Sequence, residues 1–164
     1  MAGMTTNQAL HSLGVAKECE RLANVAGWES DPQRAAYLMG WLHDCGKNWE
    51  PGFEGHGEWL ADDLVRILGV SGPYSDCLMY AIRRHGLGAD EDASRSRRPD
   101  DASVWLDILG AADMTVDSTG RNVTFEERLD DVASRYGADS EVYRSCSRRI
   151  ACLRDNGFGT VGAS

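Results

Sequence analysis

Between residues 6 and 26, His11, Val15, Cys19, Leu22 and Ala26 recur at steps of three or four residues. That spacing lines them along one face of a helix, and the same period returns through most of the chain. No segment alternates apolar and polar residues for more than a few positions, which is what a half-buried strand requires. The chain is therefore expected to be all-α.

The stop and start signals divide it as follows. A helix covers residues 6–26. Asp31 followed by Pro32 reads as a capping side chain and a proline at the first helical position, starting a helix that runs through Ala36, Met39 and Gly40 to His43. Residues 45–55, with Gly46, Pro51, Gly52 and Gly55, read as a loop. A third helix is expected over 58–68, stopping at Gly69. A fourth carries Cys77, Leu78, Ala81 and Ile82 up to His85. GLGADEDASRSRRPDD is then a long polar loop, followed by helices over 102–114, 125–136 and 140–155 and a frayed tail from 156 to 164. No linker or repeat divides these elements, so one domain over 1–164 is expected, with a core over about 6–136.

A length of 164 residues suffices for one domain with a substantial core. No apolar run approaches the ~18–20 residues needed to span a bilayer. MAGMTTNQALHSLG lacks a basic region followed by an apolar block, which makes a cytoplasmic protein the expectation. The net charge of −9 argues against nucleic-acid and anionic-membrane partners. Arg83, Arg84, Arg95, Arg97 and Arg98 bracket one short region, where Asp90, Glu91 and Asp92 offset them, so a solvated loop is favoured over a phosphate-attracting rim. The five cysteines form no C-x-x-C pair and read as reduced core fillers, Cys45 included.

The chain has four histidines: His11, His43, His56 and His85. Each alone reads as a core or capping residue, and at a helix C-terminus the dipole already favours imidazolium. Together they point elsewhere. Imidazole is the commonest donor to divalent transition metals, and carboxylates complete such sites. Asp44 adjoins His43, and Asp113 follows the apolar run ILGAA, at a position that faces inward. A buried carboxylate needs a cation or a set of donors. A bound metal accounts for both aspartates and all four histidines.

In order along the chain, HSLGVAKECERLA, MGWLHDCGKN and ILGAADMTVD resemble the H…HD…D signature of the HD-domain superfamily. GHGEWLADDLV and YAIRRHGLG are similar to the additional histidine segments of its dinuclear members. The wording of AIRRH and ADMTVDSTGRNVTFEER is closest to the bacterial HD phosphohydrolases that split diadenosine tetraphosphate symmetrically. The likeness spans roughly residues 8–130. It implies a bundle of about five core helices, here with two more at the C-terminal end. It implies two divalent transition metals, iron first among them, with manganese, cobalt or zinc as the other candidates. His11, His43, Asp44 and Asp113 would hold one ion, and His56 and His85 the other, with Asp44 bridging. The chain departs from the family wording at Gln8, where an arginine is common, and at Gly86-Leu87-Gly88; the loop over 86–101 has no family pattern. These positions bear on substrate choice more than on metal.

Six ligands for two ions leave coordination positions for water and substrate, and two ions can activate a hydroxide and stabilise an in-line displacement at phosphorus. The resemblance casts Asp44 and Lys47 as catalytic and gives Lys47 and Arg121 to the substrate phosphates. Read alone, Lys47 is equally a solvated helix-end residue, and Arg121 is a turn residue after Gly120. Trp41, Phe53, Trp49, Trp59 and Trp105 can stack a base but more commonly fill a core. The expected substrate is a small phosphorylated molecule, a nucleotide in kind, and a homodimer is compatible with such a chain. Two other functions stay open: a mixed-valent di-iron oxygenase on the same ligand pattern, and a non-catalytic nucleotide-binding module.

Overall fold

The computed structural model describes residues 5–45, 72, 74–85 and 101–158. Among them six α-helices occur: α1 (Thr6–Val25), α2 (Ser30–Leu42), α3 (Ser75–Arg84), α4 (Ala102–Met114), α5 (Phe125–Tyr136) and α6 (Glu141–Leu153). No strand is present among the described residues, only an isolated antiparallel bridge between Val116 and Asn122. The all-α expectation holds. The expected helix over 58–68, the loop over 45–55 beyond Cys45, and the polar loop over 86–100 lie outside the described residues.

Side-chain caps set several of the boundaries. Thr5 and Gln8 form a capping box: the Gln8 amide N–H donates to the Thr5 hydroxyl, and the Thr5 N–H donates to Gln8 Oε1 at 2.8 Å. Gln8, which departs from the family wording, thus has a structural occupation. Thr124 and Glu127 repeat the device at α5, and Ser140 accepts from the Tyr143 N–H at α6. α6 begins one residue after its expected start, with Ser140 as its cap, and α2 begins earlier than expected. The first turn closes from the Gln33 N–H to the Glu29 carbonyl at 3.1 Å, so the helix begins at Ser30, ahead of Asp31. Pro32 still falls in the first turn, where its missing N–H costs nothing. At the other end, where a frayed tail is expected over 156–164, the chain kinks at Gly157, whose φ is 94°, and Phe158 packs against the core; residues 159–164 lie outside the described residues.

Val15, Cys19 and Leu22 of α1 are buried against Ala36 and Met39 of α2, Leu78 and Ile82 of α3, and Ile108, Leu109 and Ala112 of α4. Ala26, counted on that face in the sequence, is instead the exposed C-cap of α1. Each fully buried leucine or isoleucine contributes about 1.5–3 kcal/mol. Trp105 belongs to this core, with the tilted Trp28 ring and the stacked Tyr74 ring at centroid distances of 4.6 and 5.8 Å.

Two glycines let backbones meet. A Cβ on Gly40 would stand 2.7 Å from the Ala16 Cα, so α2 lies directly on α1 there. A Cβ on Gly14 would stand 2.7 Å from the Gly120 carbonyl oxygen. Gly40 is one turn before His43 and Gly14 one turn after His11. The close approach of the two helices therefore fixes the separation of the two imidazoles.

Candidate metal centre

α1, the end of α2, the end of α3 and the end of α4 deliver His11, His43 with Asp44, His85 and Asp113 to one place. The His11 and His43 ring centroids are 5.6 Å apart, and those of His43 and His85 5.1 Å. His43 is fully buried, Asp44 and His85 nearly so, while His11 and Asp113 stand at the margin.

Each imidazole is oriented by a backbone carbonyl. His43 Nδ1–H donates to Gly40 O at 2.8 Å, and His85 Nδ1–H donates to Ile82 O at 2.6 Å. Both carbonyls lie three residues back, among those a helix end leaves without an amide partner. The helix terminus that favours a cationic side chain here also selects the ring tautomer. His11 Nδ1–H instead reaches across 106 positions to the Asp117 carbonyl at 3.2 Å.

With Nδ1–H engaged, each ring turns Nε2 inward, where it meets carboxylate oxygens. His11 Nε2 is 3.1 Å from Asp113 Oδ1, and His85 Nε2 is 3.3 Å from Asp44 Oδ1. His43 Nε2 lies 3.6 Å from Asp44 Oδ2 and 3.7 Å from Asp113 Oδ1, too far for a hydrogen bond. It is buried with no hydrogen-bond partner among the described residues. Such an orphan costs about 1–3 kcal/mol. An unprotonated Nε2 would set lone pair against lone pair there, a repulsion that a proton on the ring or a bound cation relieves. Donors bound about 2.1 Å from one ion stand roughly 3–3.4 Å apart, close to the spacing of these contacts. The donor atoms of His11, His43 and Asp44 all fall within 4.8 Å of one another. The donor set fits a divalent transition metal.

The electrostatics agree. Burial acts hardest on Asp113, raising its pKa, yet the hydrogen bond from His11 and the imidazoles of His43 and His11 close by overcome it and hold the carboxyl well below its usual value. Burial likewise lowers His43, but Asp44, Asp113 and the Gly40 carbonyl together leave it above the ordinary imidazole value. His85 goes down: burial dominates, Asp44 opposes it, and the neighbouring His43 adds to it. Burial, then Asp44, push the Cys45 thiol up, and its Sγ lies 3.6 Å from the Trp41 carbonyl, as befits a packing residue.

Arg121 stands outside this centre. Its side chain is 77% exposed, and its Nε donates to Asp117 Oδ2 at 3.3 Å. Its turn is tied to the centre through Asp117 and His11. His56 and Lys47 lie outside the described residues. Two supporting residues have no signal in the sequence. Asp117 is one; the other is Arg149 of α6, whose guanidinium passes beside Gly110 and comes within 4.0 Å of Asp113 Oδ2. Neither lies at helical spacing from the residue it supports.

A family model described as HD domain matches residues 9–116, the stretch that supplies every residue of the cluster. No curated protein and no solved structure matches the chain.

Proposed function

Because the chain belongs to the HD-domain family, a superfamily of metal-dependent phosphohydrolase type, we propose that it hydrolyses phosphoric anhydrides of nucleotides, dinucleoside polyphosphates foremost, at a centre of two divalent metals. The observation that carries this is His43 Nε2, buried, unpartnered and faced by two carboxylates. In the proposed assignment His11, His43, Asp44 and Asp113 hold one ion. His85 and His56 hold the second, and Asp44 serves both. In support, one Asp44 oxygen faces His85 and the other faces His43.

When bound, such metals supply Lewis-acid polarisation of phosphoryl oxygens and acidify a water molecule near neutral pH. The chain's own residues keep the donors in register. The Gly40, Ile82 and Asp117 carbonyls hold each ring in the tautomer that turns Nε2 inward. Burial of His43 and Asp44 keeps bulk water off the inner donors and strengthens every charge interaction there. Lys47, which follows the His-Asp pair by three residues, and Arg121, on the turn behind His11, are the proposed cations for the phosphate chain.

The test is hydrolysis of diadenosine tetraphosphate by protein loaded with iron or manganese, with products separated and oxygen uptake followed. The expected result is cleavage into two equal halves without oxygen consumption, lost with chelator and in Asp44→Ala. Turnover that survives in Asp44→Ala, or oxidation that consumes dioxygen, would rule the proposal out.

A further inference from the structure

The turn between α4 and α5 is built around one side chain. The Asp117 N–H donates to the Arg121 carbonyl at 2.9 Å, and the Gly120 N–H returns to the Asp117 carbonyl at 3.0 Å. Asp117 Oδ1 accepts from the Thr119 N–H at 2.8 Å, the Thr119 hydroxyl at 2.7 Å and the Arg121 N–H at 3.0 Å. Its second oxygen accepts from Arg121 Nε. The whole is an Asx-type turn in which the carboxylate replaces backbone partners that the tight bend denies.

This turn is clamped to α1. Gly120 has a positive φ of 80°, and a Cβ there would stand 2.4 Å from the Leu10 carbonyl oxygen. Asn122 donates to the buried Glu18, which also holds Arg21. Gly14 makes room for the turn on the same face. The Asp117 carbonyl that closes the bend is also the acceptor for His11 Nδ1–H. The carbonyl's direction is set by the bend, and the bend is set by the carboxylate.

We propose that Asp117 is a positioning residue: its carboxylate folds the 117–121 turn, and the carbonyl that closes this turn orients His11 for metal binding. It acts through His11 and touches no reacting atom, and its role rests on the assignment of His11 as a metal ligand proposed above. The turn also places Arg121 on the same rigid element, so ligand orientation and a cation for substrate share one support.

The experiment is titration of the full-length chain with cobalt(II), followed by its visible absorption, which reports ligand geometry as well as affinity. Wild type is compared with His11→Ala, Asp117→Ala, Asp117→Asn and Asp117→Glu, with far-UV circular dichroism as a check on folding. Asp117→Asn keeps an oxygen at the Oδ1 position and is expected to bind cobalt within about twofold of wild type, a match that tells a turn-forming role from a charge effect. Asp117→Ala is expected to bind on the order of 10-fold more weakly, with an altered spectrum. Asp117→Glu keeps the charge but misplaces it by a methylene; it is expected to follow Asp117→Ala and carries the test if the alanine variant does not fold. Wild-type affinity and spectrum in Asp117→Ala or Asp117→Glu, beside a weakened His11→Ala, would overturn the role of Asp117 alone. Absence of cobalt binding by wild type would overturn the metal-ligand assignment, and this inference with it.

Discussion

The metal-centre end of the bundle and the outer surface of α5 and α6 both carry many charged groups, and they treat them in opposite ways. Along α5, α6 and the turn after them, Arg135 pairs with Asp131 at 2.7 Å, Arg144 and Arg148 share Glu141, and Arg154 pairs with Glu126. These pairs are largely exposed, and water would serve either partner nearly as well. At the other end, three imidazoles and two carboxylates are drawn out of water, and His43 Nε2 faces two carboxylates with no hydrogen-bond partner among the described residues. A satisfied, solvated set of charges explains itself. A buried set in which His43 Nε2 has no hydrogen-bond partner among the described residues fits a bound cation.

The largest expected effects fall on the buried set. His43→Ala and Asp44→Ala each remove a proposed ligand, so metal affinity and phosphohydrolase turnover should fall by at least about 100-fold, beyond the ~10–100-fold typical of supporting residues. Equilibrium dialysis and product analysis measure both. A fall no greater than that from a surface substitution would erase the contrast between the two regions.

Next in size is the backbone contact that sets the imidazole separation. Gly40→Ala puts a methyl group against the Ala16 and Val15 backbone, which cannot swing aside. A loss of about 1–3 kcal/mol in urea unfolding is expected, as for other overpacked interiors. Gly110→Ala, on helical backbone with only the Arg149 and Leu153 side chains near its added methyl, should change stability by no more than about 1 kcal/mol. Equal losses at the two sites would show that the helix contact is looser than drawn.

The pH response of the metal-free protein should be smaller but of definite sign. Asp113 has a depressed folded pKa, so its contribution to stability is present above the ordinary carboxylate range. That contribution is lost as pH falls through this range to the folded value. His43 has a raised folded pKa, so its contribution is complete below the ordinary value of 6.5 and is lost as pH rises through the higher folded value. Since a metal must displace the His43 proton, metal affinity should climb across that same upper interval. Chelator-treated protein melted across pH, in wild type and Asp113→Asn, separates the acid limb. A flat profile in both would contradict the coupling.

The smallest effect belongs to the outer surface. Arg135→Ala should change unfolding free energy by less than about 1 kcal/mol and leave metal binding untouched. A larger effect would mean that the surface pairs do more than solvate.

Much of the fold was legible because caps and periodicity are local. α4 and α5 begin and end where their patterns predict, and α1 stops one residue early at Val25. The start of α2 was misplaced because Asp31 and Pro32 resemble a cap, whereas the closing bond comes from Gln33 to Glu29, and the Gln33 side chain holds the Trp28 carbonyl. At the site, His11, His43, Asp44, His85 and Asp113 were legible as a set because histidine is rare in the chain and Asp113 follows an apolar run. Asp117 and Arg149 were not. Their partners lie on other elements, and an aspartate in a turn or an arginine on an amphipathic helix carries no local mark of what it will meet.

The most direct measurement is the metal content of wild-type protein and His43→Ala after loading with iron or manganese and exhaustive dialysis. Two ions per chain in wild type, and a clear loss in the folded variant, are the predicted result. No retained metal in wild type, or equal retention in both, would contradict the claim that the buried histidines and aspartates are organised around a metal.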